Sequence, residues 1–298
     1  MIPLFVQMQE KFLYRLQFIE MDGKVLNMKR VFFFMMFALF AVCSLTFSMP
    51  LTSWASSASE SDMKTATYLS EGDTQMFNGK LEDAQKIYES VLEETPNSYE
   101  ALWRLSRLYI SIGMAADKIK DKKKEWKKAE DYAKQAIEIN PDAAEGHIYL
   151  AISIGKRALL SSASEKIKSV WDIKKEAEKA MELDPTHQKA YLILGTWHRN
   201  VATASSMEKQ LAKMFFGELP EGSLDESLKL LLKSISLGGN EVKNYYELAL
   251  TYEELGNYEA AKKEYENALN ARSLYPEDSQ TKEKIKKVLS KSRYKIKN

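Results

Sequence analysis

Three histidines, at 147, 187 and 198, and one cysteine, Cys43, are the side chains of this chain best suited to nucleophilic or metal chemistry. Such chemistry needs two or three of these groups brought together with a base or a carboxylate. Their setting argues against that use. His147 and His198 fall where a repeating helical pattern packs one helix on its partner, and His187 falls in a turn, so all three read as structural. The sequence holds no glycine-rich phosphate loop, no GxSxG and no HExxH. The carboxylates of "AEKAMELD" and "KEYENAL" recur on evenly charged helix faces, where solvated i,i+4 pairing accounts for them. The expectation is therefore a protein that is not an enzyme, with no cofactor and no metal. What remains is recognition. Arginine and lysine beside aromatic rings suit a carboxylate or an acidic peptide, held by charge-assisted hydrogen bonds. Which of them converge depends on the elements that carry them.

At 298 residues and 45% hydrophobic content, the chain is long enough for a sizeable core in one or two domains. Twelve glycines, seven prolines and 29% charged residues favour helix over sheet or disorder. The net charge is +1, and from residue 59 onward 38 basic residues face 39 acidic ones, so no basic excess points to nucleic acid. Residues 31–49, "VFFFMMFALFAVCSLTFSM", follow "MKR" and precede "PLTSWASSAS", the pattern of a secretory signal with cleavage near Ala55 or Ala58. The run approaches membrane-spanning length, so an uncleaved anchor facing the periplasm is the alternative to a periplasmic or secreted chain. Met28 competes with Met1 as the start, since 27 residues make a long leader region. Val42 before Cys43 speaks against lipid attachment there. Cleavage would leave no cysteine, excluding disulfides and thiolate metal sites. Residues 1–58 thus read as an extension with signal or anchor, and 59–298 as the folded domain.

That domain repeats. "ETP" (94–96), "INP" (139–141) and "LDP" (183–185) each end in a proline preceded five residues earlier by Val91, Ala136 or Ala180, and a new apolar helix begins about six residues later. Small residues let helix axes approach closely, and a proline ends the second helix of each pair. This resembles the tetratricopeptide repeat. The first unit carries Tyr68, Gly72, Gly79, Ala84, Tyr88, Val91 and Pro96; the fifth carries Tyr245, Leu248, Ala249, Tyr252, Gly256, Ala261, Tyr265 and Ala268. Between them the middles are longer: Ser106 to Ala129 is 23 residues and Ala151 to Ile173 is 22, against 12 from Gly72 to Ala84. A surplus near three helical turns lengthens a hairpin without rotating its apolar face away. The fourth unit predicts one long helix over "KAYLILGTWHRNVATASSMEKQLAKMFF". "FFGELPEGS" (215–223) then forms the hairpin tip, with Gly217 as left-handed cap, Pro220 as breaker, Ser223 and Glu226 as capping box, and Phe215 and Phe216 clasping the turn. The last helix sets Ile285, Val288 and Leu289 against a lysine-rich remainder, the polar-faced cap a solenoid needs. The fold class is all-α: a right-handed superhelix of about five antiparallel helix pairs with lengthened hairpins and a basic C-terminal cap.

The lengthened units narrow the match. Glu165-Lys166-Ile167-Lys168 with Ile173-Lys174, Leu194-Gly195-x-Trp197, and Phe216-Gly217-x-x-Pro220 resemble the regulator of microtubule dynamics family, here as a bacterial-type exported member. The resemblance extends over residues 66 to 290. His198 departs from it, standing where a cysteine or another small residue is expected after the tryptophan. The resemblance implies a domain of tetratricopeptide-like hairpins. Animal members are implicated in microtubule association and organelle contacts, but no residue motif for tubulin binding exists to transfer.

In tetratricopeptide arrays the first helix of each pair lines a concave face through fixed positions. Mapped here, these are Asp73, Met76 and Phe77; Trp103, Arg107 and Ile110; Ile148, Ile152 and Lys156; Leu192, Thr196, Arg199 and Asn200; and Tyr246, Leu250 and Glu253. Arg107, Lys156 and Arg199 place positive charge in three successive units beside Trp103. The expectation is a scaffold or adaptor holding a protein or peptide partner of acidic character, with Trp103, Arg107, Lys156, Arg199, Asn200, Tyr246 and Glu253 in contact. Reversing Arg107 and Arg199 together is expected to weaken capture and leave stability unchanged. The alternative is a periplasmic small-ligand binder assisting transport, its hairpins enclosing an apolar pocket. Lysine clusters at 118–128 and at the C-terminus read as a solvated hairpin tip and as cap solubility.

Overall fold

The computed structural model describes residues 60–291 and Tyr294, and the readings of the N-terminal segment (signal or anchor, Cys43, cleavage site, start codon) lie outside these residues. Among the described residues there are twelve helices and no strand. They are α1 (Glu60–Phe77), α2 (Leu81–Glu94), α3 (Tyr99–Ala115), α4 (Ile119–Ile139), α5 (Ala144–Ala158) and α6 (Ala163–Leu183), then α7 (Gln188–Ala202), α8 (Ser206–Phe216), α9 (Leu224–Ser236), α10 (Val242–Glu254), α11 (Tyr258–Asn270) and α12 (Asp278–Leu289). Helices α1/α2, α3/α4, α5/α6, α7/α9 and α10/α11 pair, and each pair stacks on the next: its second helix lies on the following first helix (α2 on α3, α4 on α5, α6 on α7, α9 on α10), and first helices also meet (α1 and α3, α3 and α5, α5 and α7, α7 and α10). The fold is a helical-repeat solenoid.

Local chemistry sets the boundaries. Second helices α2, α4 and α6 stop two residues before Pro96, Pro141 and Pro185, and the next helix starts three residues after each, sooner than the sequence spacing suggests. Ser98 accepts the Ala101 N–H at the start of α3, and Ser162 with Glu165 forms a reciprocal capping box on α6. Where axes approach, the residues are small and sealed: Ala84, Ala101, Ala129, Ala133, Ala136, Ala180, Ala190, Ala249, Ala261 and Ala268 are all 0% exposed. The lengthened middles are helical, with α4 and α6 at 21 residues each, or about 30 Å of rod. Trp126 anchors the first of these arms, buried and donating its indole N–H to the Ile110 carbonyl at 3.2 Å. The 118–128 lysines lie at its start, mostly exposed.

The fourth unit departs from the expected single helix. α7 ends at Ala202, Thr203 returns its hydroxyl to the Arg199 carbonyl, and α8 starts afresh on a capping box of Ser205 and Glu208. The sequence carried that box as Ser205-x-x-Glu208 inside a stretch rich in helix formers. α8 packs on α6, with Phe216 leaning on Trp171 at 5.8 Å between ring centroids. "FFGELPEGS" is therefore the return limb of a helical excursion. Gly217 does take positive φ (89°), and Ser223 caps α9 by accepting the Glu226 N–H, without the reciprocal Glu226 bond of the expected capping box. The two phenylalanines do not clasp a tip: Phe215 is 60% exposed and Phe216 40%. The excursion closes where it began. A Cβ on Gly222 would stand 2.3 Å from the Ala202 backbone nitrogen, so α7 and α9 meet as a hairpin of ordinary length with residues 203–222 looped out of it.

Two apolar clusters run through the stack. One joins α1 to α7 around Met76, Tyr88, Leu105, Leu108 and Ile148; the other joins α10, α11 and α12 around Tyr265 and Ile285. The outer units echo each other. Tyr88 donates its hydroxyl to Asp73 at 2.7 Å, and Tyr265 donates to Glu253 at 2.9 Å, each from second helix to first.

Candidate functional site

The mapped residues stand on the first helices, in three patches. In the first, Asp73 of α1 collects cations from α3: Arg104 donates Nε at 3.2 Å, and Arg107 pairs with the other carboxylate oxygen. Arg107 is buried, 5.1 Å from the Trp103 ring and 5.3 Å from Phe77, and donates to the Tyr88 hydroxyl at 3.2 Å. Burial works against its charge, but the surrounding tyrosines and Asp73 hold its pKa above the ordinary arginine value. Its Nε has no acceptor among the described residues. Trp103 stacks parallel on Tyr149 of α5 at 5.5 Å. Met76, Ile110 and Ile148, also mapped to the groove, are buried in the core instead, where apolar side chains leave water for the cluster that joins α1 to α7.

In the second patch Arg199 donates to the backbone carbonyl of Glu247 at 3.0 Å and lies 2.5 Å from its carboxylate, with Asn200 accepting a further hydrogen bond at 3.2 Å. Glu247 is 2% exposed. Burial opposes its charge, yet Lys243 and Arg199 outweigh that and hold its carboxyl at about 2. Arg107 and Arg199 are thus structural ion pairs. Reversing them would leave buried acids facing acids, so the expectation of unchanged stability is corrected. Lys156 differs. Its ammonium meets the Met114 sulfur at 3.3 Å and has no carboxylate within 4.0 Å among the described residues. Burial, helped by Lys243, pushes it down to about 8 against the pull of Glu277 and Glu247.

The third patch sits at the C-terminal end, where Tyr246 packs on Tyr265 at 6.1 Å, and Glu253 accepts from Tyr265 and Tyr294. Asn200 is exposed and Tyr246 half-buried.

Sequence reasoning missed the segment that lies across this face. After α11 the chain turns inward over residues 271–277 before starting α12. Tyr275 meets Phe77 of α1 edge-on at 5.9 Å and lies under the Lys189 ammonium of α7 at 5.5 Å. Its hydroxyl is pushed above the usual tyrosine range, by burial first and then by Tyr149. Lys189 in turn pairs with Glu241 at 3.0 Å. The buried Asp278 carboxylate accepts the N–H groups of Leu274 and Tyr275 at 2.8 and 3.0 Å, fixing the bend, and Lys282 donates to the Ala271 carbonyl at 2.6 Å. The Tyr-Pro dipeptide was the available signal, an aromatic outside any helical period.

The histidines take local roles. His147 bonds Glu176 at 2.6 Å, His187 accepts the Lys189 N–H at the start of α7, and His198 sets its ring against Trp197. Among the described residues no group of three or more His, Cys, Asp or Glu is placed to hold a metal. A cavity of about 450 Å³ opens between α4, α5 and α6, lined by charged side chains such as Glu130, Lys134, Arg157 and Asp172 together with Leu150 and Ile154.

With this geometry in place, the family is decided by a model that spans most of the domain: Regulator of microtubule dynamics protein 1-3 matches residues 68–295. The chain belongs to this family. The Mus musculus Regulator of microtubule dynamics protein 2 is 30% identical over 203 residues, covering 68% of this chain and 48% of the relative. The Mus musculus protein 1 is 28% identical over 182 residues, covering 60% of each. The chain therefore spans about half to three-fifths of the length of these relatives. A thermophilic TPR protein of Thermus thermophilus superposes with a TM-score of 0.54 at 18% identity, covering 76% of this chain and 98% of that one. That likeness gives the family's member here a tetratricopeptide-type fold.

Proposed function

We propose that this member of the family is a non-enzymatic adaptor that holds an extended, acidic segment of a protein partner on the face made by its first helices. One observation carries the reading: of the three cations mapped to that face, Arg107 and Arg199 are neutralised within the fold, while Lys156 is buried among protein atoms with no carboxylate within 4.0 Å among the described residues. A partner carboxylate would complete it. On the neighbouring first helices α7 and α10, Asn200 is exposed and Tyr246 half-buried, available to hydrogen-bond and stack. The relatives are named for microtubule dynamics; the proposal rests on the groove and not on that name. The small-ligand alternative calls for an enclosed apolar pocket; the cavity between α4, α5 and α6 is half open, with charged side chains in its lining. For location, we propose an exported or membrane-tethered chain, supported by the apolar run at 31–49, and N-terminal sequencing of the native protein distinguishes the two.

The test is site-specific photo-cross-linking in cells. A photoreactive residue at Asn200 or Tyr246 should trap one and the same protein, and Lys156→Glu should abolish the adduct. Equal trapping from the outer surface at Lys120, or trapping indifferent to Lys156→Glu, overturns the reading.

A further inference from the structure

The face made by the first helices already carries a segment of the chain itself. Residues 271–277 leave the end of α11, reach the first helices of the N-terminal units, and return to start α12. Tyr275 touches α1 and α7 directly and feels Arg107 and Tyr149 between them. The Tyr275 ring is held by an edge-on aromatic contact and a cation–π contact, and a proline and an acid follow it. Proline at 276 disfavours helix at Tyr275, and the chain turns over 275–277, with the Asp278 N–H returning to the Tyr275 carbonyl at 3.0 Å. The fit is incomplete at one place. Glu277 points into the same interior as Lys156, yet its Oε2 has no hydrogen-bond partner among the described residues, and no ion pair forms between the two. Burial pushes the Glu277 carboxyl up and the Lys156 ammonium down, each opposed by the other's charge. Both groups bear the cost of burial without the bond that offsets it.

We propose that residues Leu274–Glu277 are a built-in competitor for the adaptor's own groove, and that the partner is recognised by an aromatic–proline–acidic segment that displaces them. The inference rests on the groove reading above and adds the partner's sequence chemistry and a latch. A partner that sets its carboxylate on Lys156 gains the ion pair that the internal segment lacks, which is what allows exchange. The segment stays tied to α12 by Lys282 on the Ala271 carbonyl and by Asp278 on the Leu274 and Tyr275 N–H groups, so release requires only its side chains to lift from the groove.

The probe is a fluorescein-labelled peptide of the chain's own residues 271–280, ARSLYPEDSQ, titrated with full-length protein and read by anisotropy. Wild type should bind it weakly, and Tyr275→Ala should bind at least tenfold more tightly, because the competitor has lost its anchor. Adding Lys156→Ala to Tyr275→Ala should remove most of that gain. Equal affinity in wild type and Tyr275→Ala, or equal binding of a scrambled peptide, overturns the proposal. If Tyr275→Ala unfolds, a second measurement decides. With p-benzoylphenylalanine in place of Tyr275, irradiation should cross-link the segment to α1 or α7 of the same chain, and excess peptide should at least halve that product. An intramolecular product indifferent to peptide overturns the latch. A protein trapped from Asn200 and Tyr246 while the latch stays shut would sink this inference and leave the adaptor reading standing.

Discussion

Two kinds of buried charge share one face, and they respond oppositely to mutation. Arg199 and Glu247 form a bonded pair whose breakage strands a charge, so Glu247→Gln or Arg199→Met should each cost about 3–5 kcal/mol in urea denaturation at neutral pH. Glu247 titrates at about 2 when folded, below the ordinary carboxyl value. Its contribution is therefore fully present above the unfolded pKa and lost as pH falls towards the folded one. The stability gap between wild type and Glu247→Gln should shrink between about pH 5 and pH 2. Lys156 runs the other way. With its folded pKa near 8 and its unfolded value at 10.5, the unfolded chain holds the proton more tightly. Lys156→Met should thus raise stability at pH 7 by about 1–3 kcal/mol, an advantage that fades as pH climbs from 8 past 10.5 and that thermal melts across this range would read. The positions of these cations followed from the repeat alone, since groove positions recur on every first helix. Their pairing did not, because Asp73 and Glu247 come from other units, 34 residues before Arg107 and 48 after Arg199.

At the scale of the element, surplus sequence has been accommodated in two ways. In the second and third pairs it extends helices, as whole turns predict. In the fourth it is looped out as α8, because Ser205 and Glu208 restart the helix more favourably than Thr203 and Ala204 continue it. Gly222 lies against the backbone at the end of α7, where a methyl group has no flexible neighbour to push aside. Gly222→Ala should cost about 1–3 kcal/mol, seen as a lowered melting temperature. Replacing Thr203–Glu221 by two glycines, by contrast, should leave α7/α9 paired and the melting transition cooperative, because the excursion's ends already touch. The loss of helical circular dichroism should then match α8 alone. Hairpins were legible from proline, small residues and turn glycines such as Gly79 and Gly256, both at positive φ. The break at 203–205 was legible too, but a capping box inside a helix-forming stretch is easily read through.

For the molecule as a whole, a stack of repeats is stabilised between neighbours, and its ends are expected to fray independently. The segment around Tyr275 adds something a linear stack lacks: a contact between the first unit and the last. Nothing periodic in the sequence announces it, since its partners are set by how far the solenoid curls and not by spacing along the chain. α12 holds one end of this link through Ile285, which is fully buried against α10 and α11. The consequence is a coupling between termini that amide hydrogen exchange can measure. In wild type, α1 and α2 should share the protection of the middle units, because opening them exposes Phe77 and frees Tyr275 as well. In Tyr275→Ala the first pair should exchange roughly tenfold or more faster, about the loss of 1.4 kcal/mol, while the α3–α6 interior keeps its protection. Ile285→Ala, which loosens the same link from its far end at a cost of about 2–5 kcal/mol, should speed exchange in α1 and α2 although it touches neither helix. An Ile285→Ala effect confined to α10–α12 would mean that the ends are uncoupled and that Tyr275 rests on the first unit without holding it.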